Sequence, residues 1–245
     1  MTVASVNLWG RTIGAVSWDN ERSLGHFEYT PAFSDSGIEV APLVMPLSDR
    51  IYSFPGLPRE TFHGLPGLLA DSLPDRFGNA LIDTWLAKEG RNPASFNPVE
   101  RLCYTGTRGM GALEFTPAAG PSPKQSRSID VLALVELASE ILTQRSRAQG
   151  SCASTDREMA LQAILRVGTT AGGARAKAII AWHPDRNTVR SAEVDAGSGF
   201  SYWLLKIDGE SGNRDKEMED PSGYGLIEYA YYLMAQASCI QKSEC

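Results

Sequence analysis

The stretch Thr169-Thr170-Ala171-Gly172-Gly173-Ala174-Arg175-Ala176-Lys177, followed by the apolar run Ala178 to Trp182, decides how the second half of this chain is read. A loop of small residues leads straight into a strand. A second strand follows at Tyr202-Trp203-Leu204-Leu205-Lys206-Ile207, with one lysine inside an apolar run. Glycine loops let backbone N–H groups close around an anion. A lysine on a buried strand costs free energy unless a negative group meets it. Together the two features predict a phosphate site. Each also has a plainer explanation. The loop, which is neither GxGxxG nor a Walker loop, serves equally as a tight turn between helix and strand. For Lys206, the stronger of the two signals, the alternative is an edge lysine whose stem lies on the sheet while its ammonium group stays in water.

Downstream, Gly223-Tyr224 opens a helix over 226–237, with Ile227, Ala230, Tyr231, Met234 and Ala235 spaced for one buried face. Glu228 is its only glutamate. The order glycine loop, strand, connector, lysine strand, helix is the one a protein-kinase small lobe needs. There the loop covers the phosphates, the lysine meets the α- and β-phosphates, and a helix glutamate orients the lysine. The alternative for Glu228 is a solvated helix carboxylate, and for Lys177 a solvated strand end rather than a second phosphate contact. Thr169 and Thr170 offer hydroxyls that cap, touch phosphate or accept a phosphoryl group. Upstream, Ser128 caps a helix beginning at Ile129, and Thr155 or Asp156 caps another running to Arg166.

Residues 117–128 (PAAGPSPKQSRS) have no hydrophobic period and read as a linker. Before them, residues 2–9, 12–18 and 24–30 predict three strands of a small antiparallel meander. The prolines from Pro31 to Pro74 exclude long regular elements there. Residues 77–89 carry Leu81, Ile82, Trp85 and Leu86 at helical spacing. A short helix begins at Pro98, and 111–116 predicts a strand. Asp71 and Asp75 read as residues capping or opening the 77–89 helix, not as paired catalytic carboxylates. His63, in a Gly/Pro loop, reads as structural. Trp9, Trp18, Trp85 and Trp203 read as core.

The whole chain has 245 residues, 42% hydrophobic and 21% charged, which is globular composition for one large domain or two small ones. A formal net charge of −6 argues against a broadly basic nucleic-acid surface. No apolar run is long enough to cross a membrane, and the N-terminus does not read as a signal peptide. The four cysteines form no CxxC pair, which fits a reducing cytoplasm and predicts no zinc site. Three histidines leave no histidine cluster for catalysis.

Several blocks resemble, in order, the HipA-type serine/threonine kinase toxins of type II toxin–antitoxin pairs. They are VNLWGRTIGAVSWD (6–19) with GHFEYTP (25–31), GLLADSLPDRFGNALIDTWL (67–86), RLCYTGTRGMGALEF (101–115), TTAGGARAK (169–177), YWLLKID (202–208) and YGLIEYAYYLMAQA (224–237). The resemblance implies an α+β fold. Residues 1–116 form a HipA-like N-terminal antiparallel-sheet subdomain, 117–128 the linker, and 129–245 an incomplete kinase-like small lobe. It places Gly172, Gly173, Ala174, Arg175, Ala176 and Lys177 on the ATP-contacting loop, Lys206 on the ATP-binding strand lysine, and Glu228 on the helix that follows. Thr170 stands where the family often carries a serine that is autophosphorylated to switch the kinase off. Arg175 and Ala176 depart from other members. ATP and Mg2+ are implied for the complete protein. Implied partners are a helix-turn-helix antitoxin and a protein substrate such as an aminoacyl-tRNA synthetase, with no direct nucleic-acid contact and no membrane. The catalytic and magnesium-binding aspartates of such a kinase would lie beyond Cys245. The sequence therefore reads as a C-terminally truncated member with no catalytic residue of its own, inactive alone. The alternative is a non-catalytic module that holds an antitoxin or a separate kinase core.

Overall fold

The computed structural model describes residues 1–109, 111–120, 177–191, 195–206 and 223–245. These fall into two compact units, residues 1–120 and the described residues from 177 onward. The helices expected after Ser128 and after Thr155 or Asp156, and the loop 169–176, lie outside the described residues. The expected linker is described only as far as Gly120, where the Ala119 N–H donates to the Cys103 carbonyl at 2.8 Å.

The first unit is built on β1 (Thr2–Leu8), β2 (Arg11–Asp19) and β3 (Leu24–Tyr29), an antiparallel meander. A fourth strand, β4 (Leu113–Thr116), returns after most of the unit to pair with β1, giving the order β3-β2-β1-β4. Alternation supplies most of the inner face. Ala4, Val6 and Leu8 on β1, Val16 and Trp18 on β2, and Phe27 and Tyr29 on β3 are buried together, and Ile13 joins them where the β1–β2 register shifts. Burying each large apolar side chain stabilises by roughly 1.5–3 kcal/mol, so this shared face is the main source of the unit's stability. The Tyr29 hydroxyl satisfies itself on the Met45 carbonyl at 3.0 Å, and its ring meets Phe27, Phe33 and Tyr52.

The β1–β2 turn corrects one expectation. Leu8 pairs with Arg11, leaving Trp9 and Gly10 as a two-residue turn with both φ values positive, 51° and 74°, as tight hairpins require. Trp9 is therefore not core but 78% exposed, because a side chain beyond the last cross-strand pair has no sheet face to lie on. Trp18 is buried as expected, and Trp85 packs against Phe96 and Tyr104.

The proline-rich segment yields only single-turn helices, α1 (Pro31–Ser34), α2 (Arg59–Phe62) and α3 (Gly67–Ala70). Arg59 ties this segment to the β2–β3 turn by donating to the carbonyls of Arg22 and Ser23. His63 ends α2 in the left-handed region, a structural position. Two longer helices follow, α4 (Arg76–Lys88) and α5 (Pro98–Thr105). Asp75 caps α4 by accepting from the Gly78 N–H at 2.8 Å, whereas Asp71 closes α3. Asn97 and Glu100 form a reciprocal capping box on α5. Arg101 joins the two helices, donating to Asn79 Oδ1 at 2.7 Å and Asp83 Oδ1 at 3.0 Å.

The second unit contains β5 (Lys177–His183), β6 (Thr188–Ser191) and β7 (Ser201–Lys206), an antiparallel sheet in the order β6-β5-β7. The helix α6 (Tyr224–Ala237) starts at Gly223, whose φ of 110° favours glycine. The periodicity that predicted a buried face on α6 is present, but its residues are not buried. Ile227, Tyr231 and Met234 are exposed, as are Leu226 and Leu233. Spacing states which residues share a face and not what covers that face. Among the described residues no helix is long and apolar enough to cross a membrane.

Candidate functional site

The register of the second sheet sets its two faces. Lys177 lies opposite Lys206, Ile179 opposite Leu204, and Ala181 opposite Tyr202 on β7 and Arg190 on β6. These positions share one face with His183. The other face carries Ala178, Ile180, Leu205, and the Trp182 and Trp203 rings, which meet edge-to-face at 6.1 Å. On β7, Tyr202, Leu204 and Lys206 are exposed while Trp203 and Leu205 are half-buried. On β7 the side carrying Lys206 is thus the more exposed, whereas on β5 the same face carries the buried Ala181 and His183.

Lys206 therefore does not sit on a buried strand. It ends a strand paired on one side only, to β5, among the described residues, and its side chain is 46% exposed. It nevertheless has a partner: its ammonium group donates to Glu228 Oε1, at the start of the second turn of α6. An ion pair this exposed contributes about 0–1 kcal/mol, so it sets the two charges side by side without adding much to stability.

Residues 195–200, which lead into β7, lie at the opposite end of this face. His183 is buried with its ring edge-to-face on Phe200 at 5.2 Å, and its Nδ1 has no hydrogen-bond partner among the described residues. Gly199, at φ 84°, lies so close that a Cβ there would fall 2.6 Å from His183 Nε2. Arg190 stacks over Phe200 at 4.7 Å and donates to the Ala196 carbonyl at 3.1 Å. The Tyr202 hydroxyl donates to Asp195 Oδ1 at 3.3 Å and accepts from the Ala196 N–H at 3.2 Å.

Of the residues expected to form the site, the structure brings together Lys206 and Glu228, and sets Lys177 opposite Lys206 by backbone register. Thr170, Gly172, Gly173, Ala174, Arg175 and Ala176 lie outside the described residues. Sequence reasoning passed over Leu204 and Tyr202. The available signal was the two-residue period of the strand, which puts both on the side of Lys206.

The comparisons bear on the first unit. Residues 4–116 match the family model described as the HipA N-terminal domain. The matched segment takes in β2, β3, β4 and all but the first two residues of β1, with β4 closing the sheet against β1. This chain is thus similar to HipA over its N-terminal part, and the α+β character with a four-stranded antiparallel sheet at the N-terminus stands in the structure. No curated protein matched the chain.

Proposed function

We propose that the second unit is the nucleotide-holding half of a HipA-type serine/threonine kinase, the toxin of a toxin–antitoxin pair. The observation that carries this is the pair Lys206–Glu228, a strand-end cation held by a carboxylate of the helix that follows, joined to the HipA N-terminal match upstream. In this reading Lys206 meets the α- and β-phosphates of ATP, Glu228 orients Lys206, and Lys177 with the 169–176 loop meets the phosphate tail. The exposed Leu204 and half-buried Ile179 beside Lys206 fit an apolar ring next to a bound triphosphate. ATP supplies the phosphoryl group when bound. Among the described residues no group of His, Cys, Asp or Glu could hold a metal ion, so Mg2+ is assigned no ligand and no step here. Thr170 is a candidate phosphoacceptor for a self-inactivating switch. The partners of the complete protein are, in this reading, a helix-turn-helix antitoxin and a protein substrate such as an aminoacyl-tRNA synthetase. The fold division proposed is an N-terminal subdomain over 1–116, a linker over 117–128 and a small lobe over 129–245.

The test is nucleotide binding and phosphoryl transfer by the 245-residue chain. Weak ATP binding that is lost in Lys206→Ala and reduced in Glu228→Gln, with no transfer from radiolabelled ATP, is the expected result. Phosphoryl transfer by this chain that disappears in Lys206→Ala would overturn the inactive-alone reading. ATP binding indifferent to Lys206 would overturn the site.

The exposed apolar residues of α6, Leu226, Ile227, Tyr231, Leu233 and Met234, favour a second reading. Here the chain is a non-catalytic module that holds an antitoxin or a separately encoded kinase core. In that case ATP binding is dispensable, and Lys206→Ala leaves partner capture unchanged.

A further inference from the structure

The lysine face of the second sheet is more than a cation at a strand end. Reading along β7 from Lys206, the same face presents Leu204 and then Tyr202, both exposed. The spacing from Lys206 to Tyr202 is four residues, roughly 13 Å at strand rise. That is the order of the reach from the phosphates to the base of an extended nucleotide. Tyr202 is 54% exposed, yet it is not a free surface tyrosine. Its hydroxyl is held from both sides, by Asp195 Oδ1 and by the Ala196 N–H. Across from it stands Ala181, which is fully buried, with Arg190 in the next register position. Arg190 is itself drawn away onto Phe200 and the Ala196 carbonyl. Residues 195 and 196 thus anchor the aromatic ring by its polar tip, leaving Tyr202 exposed beside the exposed Leu204.

An exposed aromatic whose position is already fixed loses little conformational entropy when a flat ring stacks on it. Base–aromatic stacking is tolerant of base identity and worth about 1–3 kcal/mol per base. We infer that Tyr202 is the base platform of this site, a positioning and specificity residue that holds the nucleobase of a nucleoside triphosphate whose phosphates are met at Lys206. The inference rests on the nucleotide reading of Lys206 and adds to it the group that distinguishes a nucleotide from a bare polyphosphate.

The experiment uses the full 245-residue chain and two probes, ATP and inorganic tripolyphosphate, followed by ligand-observed NMR. Phosphorus line broadening reads the phosphate end, and saturation transfer to the base protons reads the platform. In Tyr202→Ala, ATP affinity is expected to fall about tenfold, with tripolyphosphate unchanged and base-proton saturation lost. Tyr202→Phe keeps the ring and is expected to stay within about threefold of the parent. Loss of ATP and tripolyphosphate binding together in Tyr202→Ala would mean that the sheet, not the platform, was damaged, and overturns the inference. Unchanged ATP affinity in Tyr202→Ala also overturns it, while leaving the phosphate site intact if Lys206→Ala still weakens both probes. If Lys206→Ala weakens neither probe, the nucleotide reading falls and the platform falls with it.

Discussion

Cys103 lies on α5 with its thiol in the core of the first unit, and burial pushes its pKa from 9.0 up to about 11. Tyr29, on the same core face of β3, is pushed from 10.0 up to about 12, again chiefly by burial. An acid whose folded pKa is raised holds its proton more tightly folded than unfolded, so its contribution is whole at low pH and is lost as pH climbs from the unfolded to the folded value. The urea midpoint of the chain is therefore expected to decline from about pH 9 and to go on declining towards about pH 12. Cys103→Ala should remove the earlier part of that decline and leave the later part; an unchanged profile would refute the assignment. Gly14 makes a second single-residue case. A Cβ there would lie 2.6 Å from the Phe27 ring and against the Glu28 carbonyl of the neighbouring strand. Gly14→Ala is expected to cost about 1–3 kcal/mol as overpacking, measured by denaturant unfolding. Neither position announced itself in the sequence, because a thiol's burial and a strand's closest approach are both set by chain segments remote from it.

Arg101 shows what single elements contribute to each other. Its guanidinium fastens α5 to α4 through Asn79 and Asp83, and its side chain is only 18% exposed. Arg101→Ala should cost about 1.5–3 kcal/mol, the range for hydrogen bonds to charged groups, read from the urea midpoint. For α6 the expected change is in association. Leu233→Lys places a charge on an exposed apolar helix, and should reduce self-association in light scattering while leaving helix content in circular dichroism intact. Elements of this kind were legible to different depths. The strands of the meander came from alternation, and α4 and α6 came from helical period, because both signals are local. That β4 pairs with β1 was not legible, since the partner lies more than a hundred residues away. Trp9 was misplaced because aromatic character suggests core, whereas the left-handed turn at Trp9-Gly10 puts the ring in solvent. Lys206 and Glu228 were legible as a pair through the kinase-like order of elements. The exposure of β7 was not, because an apolar run reads the same on an edge strand as on a central one.

At the scale of the whole molecule, the first unit owns a core in which β1, β2, β3, α5 and β4 all take part, with its ends brought together by β1–β4 pairing. A polypeptide of residues 1–120 is therefore expected to fold alone, with dispersed amide resonances and a single cooperative thermal transition. A broad, collapsed spectrum would show instead that this core needs the rest of the chain. The second unit carries its own optical label. The indoles of Trp182 and Trp203 bridge β5 and β7 on the side of the sheet away from Lys206, close enough for their excited states to couple into a bisignate circular dichroism band. Slippage of one strand past the other would separate the two rings and erase that band. The alignment that sets Lys177 opposite Lys206 can thus be followed by light alone, with no ligand and no dye.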